Sequence, residues 1–251
     1  MTDHDRHTLA KVPAITLGFW VIKILATTLG ETGADLVTQQ YELGYLAGIV
    51  LFASPLVLLV AAQIRAQRFH PLLYWATILA STTAGTAAAD FFDRSLGIGY
   101  AGGAAILLAG VLGCLAAWRV TLGTVAVASV AGAAAEAFYW LTITVSQTLG
   151  TALGDWAADD GGLGYAGGAA VFGGLLALVV LAWWKTRISR VALFWAAFIL
   201  TRPLGATVGD FLDKPHAQGG LALGRDTATA VLVVLIALAL WRFPGRAATR
   251  D

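Results

Sequence analysis

One cysteine and four histidines leave little sulfur or imidazole for chemistry in a chain of 251 residues. The lone Cys114 excludes an internal disulfide and, lying mid-way along an apolar run, reads as a packing residue. Charge is equally scarce: 12% of residues are charged against 58% hydrophobic, with a mean hydropathy of +0.76, and that balance belongs to membrane proteins. Phosphate-cradling loops, basic nucleic-acid patches and nucleophile triads are all missing, so neither nucleotide chemistry nor a nucleic-acid partner is expected, and no enzyme activity is read. A cleavable signal is missing too, because MTDHDRHTLAKVP is mixed in charge and leads into a full-length span; the first helix is expected to stay.

What is present is length in the apolar runs. Segments able to cross a hydrocarbon core of ~30 Å occur at Pro13–Ala34, Leu43–Ile64, Pro71–Ala89, Ile98–Trp118, Val125–Gly154, Leu163–Trp184, Val191–Gly209 and Thr227–Leu240. The last needs flanking residues to span. The reading is an all-α polytopic membrane protein of about eight transmembrane helices, residues 13–243, between short tails at 1–12 and 244–251. The first tail reads as solvated, and His4 and His7 in it read as an incidental pair. Pro55 should kink the second helix. Residues 119–135 leave two options open: an overlong, tilted fifth helix or a short extra helix at the interface.

Charges are sorted by side. Arg6, Lys11, Arg65, Arg68, Arg119, Lys185, Arg187, Arg190, Arg242, Arg246 and Arg250 fall on the side of the termini, eleven of the 16 basic residues. By the positive-inside rule that side and both termini face the cytoplasm, in a lipid bilayer expected to be a bacterial inner membrane. The opposite face is acidic.

The strongest signal is a repeat. Trp20, Trp75, Trp140 and Trp195 each precede an aspartate, Asp35, Asp90, Asp155 and Asp210, by 15 residues, with Gly30, Gly85, Gly150 and Gly205 five residues before the Asp. The repeats lie at about 13–68, 69–120, 133–188 and 189–243. Each holds two spans, so all four are parallel and their symmetry axis runs along the membrane normal. Four aspartates then lie at one depth. Each sits at a helix C-terminus, where the helix dipole already disfavours negative charge, so positive charge must come from elsewhere.

Candidate site residues follow from that frame. Asp35, Asp90, Asp155, Asp210 and Glu31 are expected to be cation or proton sites; Thr28, Thr83, Thr148 and Gln147, two turns deeper, are expected to line a path. Glycine and alanine four residues apart before each Asp should bring helix backbones close. Ionisable groups inside spans are functional candidates by default. Arg202, Lys23, Glu136 and Arg225 are therefore read as counter-charges, Arg202 pairing with Glu31 or a neighbouring Asp, and Lys23 with Glu136. The ligand set is all oxygen, which suits Mn²⁺, Mg²⁺ or Ca²⁺ over Zn²⁺ or Cu⁺.

On its four tryptophans, Trp20, Trp75, Trp140 and Trp195, the chain resembles a bacterial membrane-protein family of four tandem two-helix repeats of unknown function. The resemblance spans about residues 13–243 and implies architecture and a bacterial inner membrane, not a substrate. Glu31-Thr32-Gly33-Ala34-Asp35 is also similar to the E-x-G-D motif of cation exporters, with the Asp displaced by one residue and the following basic position absent. The expected function is a multi-pass transporter or channel for a hard divalent cation, a manganese-type exporter foremost, needing no cofactor beyond the transported ion or a proton. Two alternatives stand beside it: a non-transporting scaffold or sensor subunit, and an intramembrane aspartyl enzyme built on Gly154-Asp155 and Gly209-Asp210.

Overall fold

The computed structural model describes residues 9–249. His4 and His7 lie outside them. Eight long helices follow one another: α1 (Leu17–Asp35), α2 (Tyr45–Arg65), α3 (Pro71–Asp90), α4 (Tyr100–Leu122), α5 (Ala133–Asp155), α6 (Gly164–Lys185), α7 (Arg190–Asp213) and α8 (Arg225–Arg242). Thr16 caps α1 by accepting from the Phe19 N–H at 3.3 Å, and Pro71 opens α3 where its missing N–H costs nothing. Helices α2, α4 and α8 each follow a glycine, Gly44, Gly99 and Gly224, at φ of 80°, 78° and 75° with extended ψ, a conformation essentially reserved for glycine.

The odd-numbered helices close into a ring. Helix α1 packs on α3 and α7, and α5 packs on the same two, so the first members of all four repeats surround one axis. Each even-numbered helix lies outside, against the first helix of the next repeat: α2 on α3, α4 on α5, α6 on α7, and α8 back on α1. The ring can close this tightly because of glycine. A Cβ on Gly30 would collide with Thr82, one on Gly150 with Arg202, one on Gly205 with Thr27, and one on Gly85 would stand 2.9 Å from the Thr148 backbone nitrogen. The four contacts are the same contact repeated around the axis, and they follow the small-residue rule of close helix packing in membranes.

This arrangement turns a soluble protein's polarity inside out. Thr27, Thr82, Thr86, Gln147, Thr151 and Arg202 are buried inside the ring, while Leu46, Val57, Leu58, Ile106, Leu112, Leu178 and Val234 are exposed on the outer helices. Four helices, α2, α4, α6 and α7, are long and apolar enough to cross a membrane; only 11%, 22% and 11% of the first three is buried, against 61% of the ring helix α7. So large an exposed apolar surface needs an apolar solvent, and a hydrocarbon layer supplies it.

The two ends of the ring differ. At the tryptophan end Trp75, Trp140 and Trp195 are buried with Phe19, Tyr74, Tyr139, Phe194 and Trp118 in one aromatic cluster. The Tyr74 and Tyr139 hydroxyls meet at 2.5 Å, and Trp195 Nε1 donates to the Val125 carbonyl at 2.9 Å. This end is sealed. At the aspartate end three ring helices run directly into a π-helical turn, Leu36–Gln40, Phe91–Ser95 and Trp156–Asp160, closed by i to i+5 bonds such as Tyr41 N–H to Leu36 O at 2.9 Å. The fourth departs: α7 runs on to Asp213, and a 3₁₀ turn at His216–Gln218 takes the place of the π turn.

Two expectations are corrected. Residues 119–135 do not make an overlong fifth helix: α4 ends at Leu122, α5 begins at Ala133, and the one short extra element between them is a 3₁₀ turn at Val127–Ser129. Residues 9–12 of the first tail are not simply solvated, because Leu9–Pro13 (β1) pairs antiparallel with Ala247–Thr249 (β2). Pro55 lies inside α2.

Candidate metal centre

The repeat fixes where each side chain enters the ring. Four residues before the aspartates stand Glu31, Thr86, Thr151 and Ala206, and eight before stand Thr27, Thr82, Gln147 and Arg202. In the fourth repeat that second position is an arginine with no exposed surface. Packed over Gly150, it turns its head to the axis, where Nη2 donates to Glu31 Oε2 at 2.9 Å and to the Thr86 and Thr151 hydroxyls at 2.5 Å each. One residue from every repeat's ring helix thus meets at a single guanidinium nitrogen. The Arg202–Glu31 pair read from the sequence is present.

Above this pair lie the carboxylates. Ligand oxygens of Glu31, Asp155 and Asp210, all buried, fall within 4.8 Å of one another. Asp35 and Asp90 complete the layer, each 2% exposed, and Asp35 Oδ1 and Asp90 Oδ2 have no hydrogen-bond partner. Two cations close the layer from outside. Lys214 Nζ bridges Asp35 at 2.8 Å and Asp210 at 3.1 Å; Arg94 bridges Asp90 at 3.2 Å and Asp155 at 3.6 Å. Both stand four residues after their own repeat's aspartate, so the π turn or helix end that follows aims them back over it. Repeats one and three carry Gln39 and Asp159 at that place. Burial works against the charge on Arg94, but Asp90 and Asp155 outweigh it and hold its pKa above the ordinary value. Lys214 is likewise desolvated, yet Asp210 and Asp35 raise its pKa and keep it charged. Arg225, the counterpart of Tyr45, Tyr100 and Tyr165, bonds Asp213 at 3.1 Å and reaches Asp35 at 3.5 Å.

Charge bookkeeping then favours a cation. Glu31, Asp35, Asp90, Asp155, Asp210 and Asp213 are six acids in contact with four bases, Arg94, Arg202, Lys214 and Arg225, so acids outnumber bases and the excess calls for protons or a bound cation. Outside the layer opens a vestibule of about 830 Å³, lined among others by Gln39, Arg94, Tyr100, Asp159, Tyr165, Asp213, Lys214 and Arg225.

Other expected site residues lie elsewhere. Thr28, Thr83 and Thr148 each donate to a carbonyl one turn back in their own helix, Ile24, Leu79 and Thr144, while the hydroxyls that meet the Arg202 head are Thr86 and Thr151. Gln147 is buried and donates to Ser81 across the α3–α5 contact. Lys23 and Glu136 do not pair. Glu136 binds Lys11 at 2.6 Å, while Lys23 Nζ sits 4.1 Å from the Phe198 ring centroid without a hydrogen-bond partner. The separation has a simple cause: Lys23 stands 12 residues before its repeat aspartate and Glu136 stands 19 before its own, so Glu136 lies about two turns further down, in the first turn of α5 beside β1. Arg94 and Lys214 were overlooked as ring contacts because they fall in loops on an acidic face; their shared spacing of four from the repeat aspartate was the available signal.

Fold and site together define an all-α membrane protein made of four like-oriented two-helix repeats around a buried acidic centre. Its family follows from the repeat itself: the pattern of DUF347, a repeat of unknown function, matches at residues 18–69, 73–124, 138–189 and 193–246, and the chain belongs to that family. No curated protein and no solved structure matches it.

Proposed function

We propose that this protein is a multi-pass carrier of a hard divalent cation in a bacterial inner membrane, a manganese-type exporter being the favoured form, with both termini cytoplasmic. One observation carries the reading: three buried carboxylates from three different repeats, Glu31, Asp155 and Asp210, converge to within 4.8 Å. Carboxylate oxygens at that spacing suit Mn²⁺, Mg²⁺ or Ca²⁺, whose shells are built of oxygen. A vestibule open at the aspartate end and an aromatic seal at the tryptophan end support a carrier caught open to one side over a channel.

Flux of Mn²⁺ across liposomes containing the purified chain tests this, with Asp155→Asn as the decisive variant. Saturable flux reduced by about tenfold or more in the variant, a loss of about 1.4 kcal/mol, is expected. Equal flux in variant and wild type would remove the carboxylate centre from the path. The sealed tryptophan end favours a second reading, a sensor subunit that binds the ion without passing it; that reading gives Mn²⁺ binding and no flux. An aspartyl enzyme is the weakest reading, since Asp155 and Asp210 each lean on a cation of their own, Arg94 and Lys214.

A further inference from the structure

Each member of the carboxylate triad already has a cation of its own. Glu31 is held by Arg202 at 2.9 Å, Asp210 by Lys214 at 3.1 Å and Asp155 by Arg94 at 3.6 Å. The three cations come from different directions: Arg202 from deeper in the ring, Lys214 and Arg94 from the vestibule floor. None is required by the fold, since sister repeats place Thr27, Thr82 or Gln147 at the Arg202 position and Gln39 or Asp159 at the other two. A bridge kept only for packing would be replaced at little cost by neutral groups, and in these repeats it is.

We propose that Arg94, Lys214 and Arg202 are resident competitors for the metal: they occupy its ligands in the empty protein, and a divalent cation enters by taking Asp155, Asp210 and Glu31 from them. The inference rests on the cation-site reading above and adds how the site is guarded. Its second support is the state of the leftover polar atoms. Asp35 Oδ1 and Asp90 Oδ2 are buried acceptors without partners, each on a carboxylate that already holds Lys214 or Arg94 through its other oxygen. When the metal takes Asp210 and Asp155, those two cations have Asp35 and Asp90 to fall back on. Arg202 lacks such a refuge. Its Nε and Nη1 have no partners, and apart from Glu31 its contacts are the neutral Thr86 and Thr151 hydroxyls. The vestibule side is therefore the easy side of exchange, and Arg202 is the stiffer, inner guard. It also discriminates by charge, because a monovalent ion replaces less of the field that three tethered cations supply.

The test is Mn²⁺ binding to the full chain in detergent, read from the electron paramagnetic resonance signal of the free ion, for wild type, R94Q, K214Q, R202Q and the control R94K. Removing a competitor should tighten binding by about tenfold, a usual coupling between linked sites, whereas R94K, which keeps the charge but not the two-pronged reach to Asp90 and Asp155, should tighten it less than R94Q. A cation that merely positions the acids gives the opposite sign, so weaker or unchanged binding in both R94Q and K214Q overturns the proposal. Arg202 is fully buried and R202Q is the variant most exposed to misfolding; the partly exposed Arg94 decides the matter without it. Absence of Mn²⁺ binding in the wild type would defeat the cation-site reading itself, an outcome distinct from binding that ignores the three cations.

Discussion

Arg202 has no exposed surface and a single anionic partner among the described residues. Glu31→Gln therefore strands a guanidinium inside the ring, and a loss of about 3–5 kcal/mol is expected, the usual result of halving a buried pair. Removing both charges in E31Q/R202Q should cost much less than the sum of the single changes, because each single variant is penalised for the charge it leaves behind. Thermal unfolding in detergent measures both; additive losses would mean the pair is not coupled. At this scale the sequence was informative where a residue broke the repeat. Glu31 and Arg202 stand out because their counterparts are neutral, and they meet. The pairing of Lys23 with Glu136 failed for lack of a depth coordinate: both are lone charges in apolar runs, but the frame places one mid-span and the other beside the start of α5. Lys11, in a segment read as a solvated tail, was the partner instead.

That lysine is also where elements are tied together. Its ammonium donates to the carbonyls of Gln63, Ile64 and Ala66 at the C-terminus of α2, at 2.9, 3.1 and 2.6 Å, and pairs with Glu136 on α5. A cation at a helix C-terminus satisfies orphan carbonyls and complements the dipole. Here one cation holds β1, α2 and α5 at the basic end of the ring. Lys11→Met should cost about 2–4 kcal/mol, since it unpairs a buried carboxylate and uncaps a helix; Glu136→Gln, which keeps the cap, should cost about half of that. Hydrogen exchange localises the effect: faster exchange at the end of α2 in Lys11→Met and little change in Glu136→Gln. An equal response in both would assign the stability to the ion pair alone. Helix positions were legible because apolar runs of spanning length are bounded by charge and glycine. The π turns, β1 pairing with β2, and the break at Val127–Ser129 were not, because each depends on hydrogen bonds to residues distant in the chain or on one extra residue in a turn, and neither leaves a periodic pattern.

The whole molecule is ordered by its axis, with acids and vestibule at one end and aromatics and basic residues at the other. Parallel repeats made this legible, because a residue type recurring in four like-oriented copies has to recur at one depth. The ring order was not legible: that each outer helix packs on the next repeat's inner helix depends on how the turns after the aspartates direct the chain. Orientation follows from charge, and the proposed topology has a direct check. In a Cys114→Ala background, a cysteine replacing Asp160 lies on the vestibule side and one replacing Thr186 on the basic side, and both positions are exposed. A membrane-impermeant maleimide applied to intact cells should label position 160 and leave 186 unlabelled until the cells are lysed. Trp183, Trp184 and Trp241, exposed at the ends of α6 and α8, should mark the inner interface on the same reckoning. The opposite pattern would turn the vestibule towards the cytoplasm. The carboxylate centre would then be loaded from inside and an exporter would be open to its cargo in this state, so the experiment fixes the direction in which the three tethered cations are displaced.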